Sequence, residues 1–150
     1  MLTMIAITLT ALTLGGSAQA PDLNIALQCD GAGLTDDTTF IQQQDGTAPT
    51  IVEGSKRTNE RVLIVFEDNT GRIRMPPALQ PSIRGRSTDG WRPLTDIAAS
   101  DDLISTRFSF NFLDKPSVRI DRVTGRVEIR GMAFRFEGDC MPYDAQARRF

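Results

Sequence analysis

Hydrophobic and polar residues alternate with a period of two along most of the chain after residue 21. The alternation is clearest in RFSFNF (residues 107–112), where Phe108, Phe110 and Phe112 fall on one face. Successive side chains of a β-strand point to opposite faces, so this period predicts strands with one buried and one wet face. The same pattern predicts strands at residues 23–29, 49–53, 61–67, 72–75, 91–98, 117–120, 126–130 and 132–138.

These segments predict an all-β, single-domain protein with about seven to nine short antiparallel strands. A chain of 150 residues is one domain by length. Strands joined by hairpin-length connections bury their apolar face by closing into a small barrel or by forming a sandwich. An open, curled β-meander packed with a short helix is the alternative architecture.

Two similar segments, RIDRVTGRV and VFEDNTGRI, interrupt the alternation and raise the question of a catalytic loop. Asp121 suits the start of a type I turn because its carboxylate accepts hydrogen bonds from nearby backbone N–H groups. Gly125 suits the positive φ at which such a turn rejoins its strand. The sequence predicts hairpin turns at both places, with the second built like the first, rather than an aspartic-protease Asp-Thr-Gly loop.

The first twenty residues have the layout of a secretory signal. They carry no charged side chain, run apolar from Leu2 to Leu14, and end in small residues. The sequence predicts cleavage after Ala18 or Ala20, with residues 21–150 as the mature domain. It also predicts a periplasmic or secreted location and no transmembrane segment in the mature chain.

The two cysteines, Cys29 and Cys140, predict a disulfide. An exported chain with an even number of cysteines pairs them in an oxidising compartment. Cys29 shares a strand face with Ile25 and Leu27, and Cys140 shares one with Phe136, so both sulfurs follow the core-facing register. The bond would join the first strand of the mature domain to the last.

The amino-acid composition excludes several classes of function. The chain contains no histidine and has a formal net charge of −2. Nucleophile–histidine catalysis and histidine-bearing zinc sites are therefore excluded, and we expect no metal and no other cofactor. An acidic chain is not built to neutralise phosphates, so nucleic acid is not an expected partner.

Neighbouring carboxylates are the remaining candidates for catalysis. Asp36-Asp37 and Asp101-Asp102 are the pairs that glycoside chemistry would need. Both lie among turn-forming residues, where acids commonly cap or start turns, so we assign no catalytic residues.

One stretch, residues 72–92, is unusually basic. It contains several prolines, ends near the only tryptophan, and carries the candidate ligand-binding residues Arg72, Arg74, Arg84, Arg86 and Arg92. Clustered guanidinium groups bind carboxylate, phosphate or sulfate groups. A solvated sheet face is the plainer interpretation. Trp91 is expected in the core or as a plug at one end of a barrel.

The sequence thus favours a non-catalytic binding or interaction module of the bacterial envelope. The expected ligand is an anionic envelope component, or a small apolar molecule if the sheet encloses a cavity. A hydrolase that uses carboxylates alone and a structural envelope component are the alternatives. Two carboxylates facing each other in a cleft would favour the hydrolase, and an apolar cavity open at one end would favour a binder.

Overall fold

A computed structural model describes residues 22–42, 44, 46, 48–81 and 89–144. The predicted signal segment lies outside these residues. The described chain forms nine antiparallel strands, with one short 3₁₀ turn at Pro77–Leu79. The strands are β1 (Ile25–Ile41), β2 (Thr50–Glu67), β3 (Thr70–Arg74), β4 (Trp91–Pro93), β5 (Thr95–Ala99), β6 (Leu103–Arg107), β7 (Ser117–Asp121), β8 (Arg126–Arg130) and β9 (Phe134–Pro142).

The strands make one sheet that curls into a nearly closed barrel. Its order is β4-β3-β2-β1-β9-β8-β7-β6-β5. Every strand except β4 therefore neighbours the next strand in sequence, and the last strand, β9, pairs with the first. The two ends of this order are consecutive in the chain and are separated only by Leu94. The Leu94 N–H donates to the Gly71 carbonyl at 2.8 Å. One bent strand thus pairs with β3 at its start and with β6 at its end, which confirms the predicted all-β, barrel-like fold.

Alternation fills the interior as the sequence predicts. Ile73, Val118, Ile129 and Phe136 are fully buried, while charged neighbours such as Arg119 face solvent. Phe108 and Phe110 lie beyond the end of β6 with their rings edge to face, 5.0 Å between centroids. The interior is therefore packed by side chains from all around the sheet.

The predicted disulfide is present. Cys29 of β1 and Cys140 of β9 lie directly opposite each other, with Cα atoms 4.0 Å apart. Cys29 is fully buried and Cys140 packs against the core. The bond therefore joins the first strand to the last, and its presence indicates an oxidising compartment.

The predicted strand over residues 107–112 is wrong. β6 covers Leu103–Arg107, and the chain then turns. The Asn111 side chain accepts from the Leu113 and Asp114 N–H groups at 2.9 and 2.8 Å, which is an Asx-type turn. Phe108 and Phe110 still point inward, but Phe112 is 83% exposed.

The two turns that looked alike differ. In the Asp121 turn, the Asp121 carboxylate accepts from the Val123 and Thr124 N–H groups, both at 2.9 Å, and Gly125 has φ 74°. This turn matches the prediction. Between β2 and β3, however, the positive φ angles belong to Asp68 (48°) and Asn69 (62°), which is the signature of a two-residue type I′ hairpin.

Gly71 has a packing role instead of a turn role. A Cβ built at Gly71 would lie 2.8 Å from Cδ1 of Leu94 and 3.0 Å from Cδ1 of Phe66. Such distances leave no room for a methyl group at the seam where the bent strand meets β3. The expectation that the second turn is built like the first was therefore wrong.

Candidate functional site

Arg72 and Arg74 share the outer face of β3. They are two residues apart, and both are exposed, while Ile73 and Met75 are buried behind them. Cα atoms two apart on a strand are separated by about 6.6–6.8 Å, so the guanidinium groups of these residues can approach one anion. This pair is the part of the predicted arginine set that the structure brings together.

Trp91 lies beside this pair and not in the core. It is directly opposite Arg74 in the β3–β4 register, so its ring faces outward and is only partly buried. The Arg72 guanidinium carbon lies 4.9 Å from the centroid of the indole ring, which is cation–π distance. The backbone N–H of Trp91 donates to the Asp89 carboxylate at 3.0 Å and fixes the start of β4. The prediction of a core tryptophan was wrong because the register of β4 places Arg92, not Trp91, inside.

Arg92 is directly opposite Ile73 and therefore faces the interior. It is 8% exposed, and its guanidinium carbon lies 5.8 Å from the centroid of the Phe110 ring. It is on the opposite side of the sheet from Arg72 and Arg74 and does not join them. Arg84 and Arg86, the remaining members of the predicted set, lie outside the described residues.

A cleft of about 750 Å³ lies on the outer face of β2, β1 and β9. Four arginines and four acids line it: Arg57, Arg61, Arg126, Arg135, Asp30, Glu60, Glu137 and Asp139. Gly31 of β1 and Gly138 of β9 also line the cleft, and they are directly opposite each other. A Cβ at Gly31 would lie 2.4 Å from Cα of Gly138, so the close approach of β1 and β9 requires the pair.

Charges in this cleft are partly paired. Nε of Arg61 lies 2.6 Å from an Asp30 carboxylate oxygen. The hydrogen bond from Arg61 holds the pKa of Asp30 below its ordinary value, and Asp30 in turn raises the pKa of Arg61. Sequence reasoning missed this cleft because its residues are far apart in the chain and meet only through strand register.

Two carboxylates that the sequence did not single out are brought together. Glu128 of β8 is directly opposite Glu137 of β9. Both line a smaller cleft of about 380 Å³ on the open outer face, together with Arg119. Arg130 forms an ion pair with Glu128. Like charges at such a position are destabilising unless cations or ligands offset them.

The acid pairs named from the sequence do not converge on a cleft. Asp36 and Asp37 are exposed neighbours on β1 and so point to opposite faces of that strand. Asp101 and Asp102 are exposed in the connection between β5 and β6. The backbone carbonyl of Asp102 accepts from the backbone N–H of Arg122 at 2.8 Å, which gives this turn a structural role.

No family model, curated protein or solved structure gives a significant match to this chain. Across the described residues, no helix is long and apolar enough to cross a membrane. The same residues contain no group of three or more His, Cys, Asp or Glu side chains able to hold a metal ion. The fold and the surfaces on it thus define a small, disulfide-linked antiparallel barrel with most of its charged groups on the outside and Arg92 inside.

Proposed function

We propose that this protein is an exported, non-catalytic binding module of the bacterial envelope that holds an anionic envelope component through Arg72, Arg74 and Trp91. The observation that carries this proposal is the Arg72 guanidinium over the Trp91 ring, beside Arg74 on the same face of β3. Stacking occupies the face of a guanidinium and leaves its N–H edge free to donate. A phosphate, sulfate or carboxylate group accepts such bonds well.

The disulfide supports an envelope location for this module. An oxidising compartment explains why Cys29 and Cys140 are bonded. Cleavage of the N-terminal segment after Ala18 or Ala20 and a periplasmic or secreted location of residues 21–150 are parts of the proposal. A small apolar ligand is the weaker choice, because large side chains such as Phe66 and Phe136 occupy the interior.

A carboxylate-dependent hydrolase is the second candidate, since Glu128 and Glu137 lie directly opposite each other. The pair stands on an open face where water reaches it, and Arg130 already engages Glu128. Closure of an active site around its substrate expels water, and this open face does not enclose a substrate. We therefore favour binding over hydrolysis.

Salt-dependent retention on a resin bearing sulfate groups tests the proposed binding. The chain carries a net charge of −2, so net charge alone does not favour retention at pH 7. We expect the wild type to be retained at low salt and the Arg72→Ala/Arg74→Ala variant to elute at clearly lower salt. Both side chains are exposed, so the melting temperature should stay nearly unchanged.

Arg107→Ala/Arg119→Ala is the matched control, because it removes two exposed arginines from β6 and β7 and lowers the net charge equally. We expect it to elute close to the wild type. Equal loss of retention in the two double variants would show that exposed arginines bind the resin wherever they lie on the sheet, without a specific site. Exposed charges are screened over about 8–10 Å at physiological salt, so retention that persists as salt rises towards that level indicates a local site.

A further inference from the structure

The β1–β2 hairpin extends beyond the barrel as an arm. β9 leaves β1 at the pair Thr35–Phe134, and a last backbone bond joins the Asp36 N–H to the Ala133 carbonyl at 3.1 Å. Beyond that point, residues 36–41 and 50–55 pair only with each other among the described strands. We call these two segments the arm. An isolated two-stranded ribbon is marginally stable in water.

The tip of the arm is apolar on both faces. Phe40 lies directly opposite Ile51, and the two share one face with exposures of 68% and 59%. Ile41 and Val52 are on the other face and are also exposed. Large exposed apolar side chains on a ribbon with no core behind them indicate a surface that another structure covers.

The outer edge of the arm is open as well. β3 pairs with β2 only from Leu63 onward, opposite Arg74. Residues 50–62 of β2 therefore have β1 on one side and no strand of the described chain on the other. An open edge presents a row of unpaired N–H and C=O groups that accepts another strand.

The charges along this edge restrict how two copies of it can pair. In an antiparallel pair, two residues that face each other either both turn their N–H and C=O groups towards the other strand or both turn them away. These positions alternate along a strand. In two copies of one edge, the two facing residue numbers are therefore both odd or both even, and they sum to an even number. A two-fold axis at Glu53, Lys56 or Arg57 would place like charges opposite each other. An axis at Ser55 places each Glu53 opposite Arg57 of the partner subunit. Glu53 and Arg57 are both exposed.

A two-fold axis at Thr58 is the other register that pairs opposite charges, Lys56 with Glu60 of the partner subunit. It places Glu53 opposite Leu63 of the partner subunit. That position is blocked, because the outer edge there is already paired with Arg74 of β3. The Ser55 register keeps all its pairs within residues 50–60, where the edge is open.

We propose that two copies of this chain associate edge to edge along β2, antiparallel about an axis at Ser55, with Glu53 of each copy paired to Arg57 of the partner subunit. The association turns two marginal ribbons into one four-stranded sheet, β1-β2-β2-β1. It satisfies the open backbone edge and brings the apolar tip of each arm beside the barrel of the other copy. This proposal is independent of the anion-binding function and uses a different part of the molecule.

Sedimentation equilibrium of the disulfide-bonded protein tests the dimer through charge reversal. We expect a concentration-dependent dimer for the wild type. Glu53→Arg alone or Arg57→Glu alone turns two attractive pairs into two repulsive ones and should raise the dimer Kd by about tenfold or more. The double variant Glu53→Arg/Arg57→Glu restores opposite charges in this register only, so its Kd should return to within about threefold of the wild type.

Glu67→Arg is the matched control, since Glu67 is exposed at the end of β2, where β3 covers the edge. It should leave the Kd unchanged, and the melting temperature of each variant shows that the barrel remains folded. A wild type that stays monomeric at high protein concentration overturns the proposal. So does a double variant that fails to recover association, because that result leaves no role for the Glu53–Arg57 pair.

Discussion

At the residue scale, Asp121 and Gly125 carry separate parts of one turn. The Asp121 carboxylate accepts two backbone N–H groups, and its carbonyl accepts the Gly125 N–H at 2.9 Å. Gly125 supplies a φ of 74°, which lies in the left-handed region that β-branched residues avoid. The Gly125 carbonyl then accepts from the Cys140 N–H at 2.7 Å, so the turn also contacts the disulfide-bearing strand.

Replacing Gly125 should therefore be costly. We expect Gly125→Val to lower the free energy of unfolding by more than about 1 kcal/mol, because a β-branched side chain is strained at this φ. A Cβ at this position would also lie 3.2 Å from the Cys140 carbonyl oxygen. Asp121→Asn should cost clearly less at neutral pH, since an amide oxygen still accepts from the backbone and only the charge is lost. Urea denaturation checks both variants, and the reverse ranking would contradict the assignment of roles in this turn.

The same carboxylate predicts a pH dependence of stability. Hydrogen bonds from the Thr124 and Val123 backbone hold the pKa of Asp121 below its ordinary value of 3.8. A lowered pKa in the folded state contributes stability that is complete above the ordinary value and is lost as pH falls through the folded pKa. The stability difference between the wild type and Asp121→Asn should therefore shrink as pH falls below about 4. The pKa of Asp30 is lowered too, but that carboxylate is present in both proteins and cancels in the comparison.

At the element scale, the connection from β6 to β7 separates three phenylalanines that look equivalent in sequence. Phe108 and Phe110 extend the inward alternation of β6, held by bonds from their N–H groups to the carbonyls of Pro116 and Asp114 at 3.2 and 3.0 Å. The Phe110 ring packs edge to face against Phe134 at 5.9 Å. The turn at Asn111 then carries Phe112 out of the barrel. Phe108 and Phe110 are thus part of the buried core, and Phe112 is not.

Truncation should distinguish the members of this segment. We expect Phe110→Ala to lower the free energy of unfolding by about 3–5 kcal/mol, since it removes a fully buried ring. Phe112→Ala should change it by no more than about 0.5 kcal/mol, because that ring is exposed. Thermal or urea unfolding of both variants provides the measurement. Similar large losses at both positions would mean that residues 107–112 form a core-facing strand after all.

Period and turn chemistry predicted most of these elements because both act locally. The inward faces of β7, β8 and β9 follow directly from alternation in the sequence, and so does the parity that pairs Cys29 with Cys140. The register between strands depends on residues far apart in the chain, and it explains the features that the sequence did not predict. It places Arg92 inside and Trp91 outside, separates Arg92 from Arg72 and Arg74, and brings Glu128 to Glu137. The full length of β1 and β2 was also missed. The sequence predicted only residues 23–29 of β1 and two separate segments of β2, 49–53 and 61–67, because much of the remaining length is exposed on both faces and gives no alternation.

At the scale of the whole molecule, the barrel has two seams of different kinds. One lies at Leu94, where the bent strand is held to Gly71 by a single backbone bond and by packing. The other joins β1 to β9, the first strand to the last, and carries the disulfide across 111 residues of chain. β1 and β9 lie in the middle of the strand order, and the disulfide between them closes a long loop of chain. The disulfide should therefore contribute to stability chiefly by restricting the unfolded chain.

Removing the disulfide should reveal that contribution. In the chain-entropy model, a closed loop of this length stabilises the folded state by up to about 4–5 kcal/mol. We expect the wild type, denatured without reductant, to show no titratable thiols and two after reduction. The free energy of unfolding of Cys29→Ala/Cys140→Ala should be lower than that of the wild type by up to this amount. The wild type measured in reductant should show a similar loss. The reduced wild type is the control, because it lacks the disulfide but keeps the buried Cys29 sulfur that the double variant removes. Two reactive thiols in the denatured, unreduced protein would show that the bond is absent, and the seam between β1 and β9 would then depend on its backbone ladder alone.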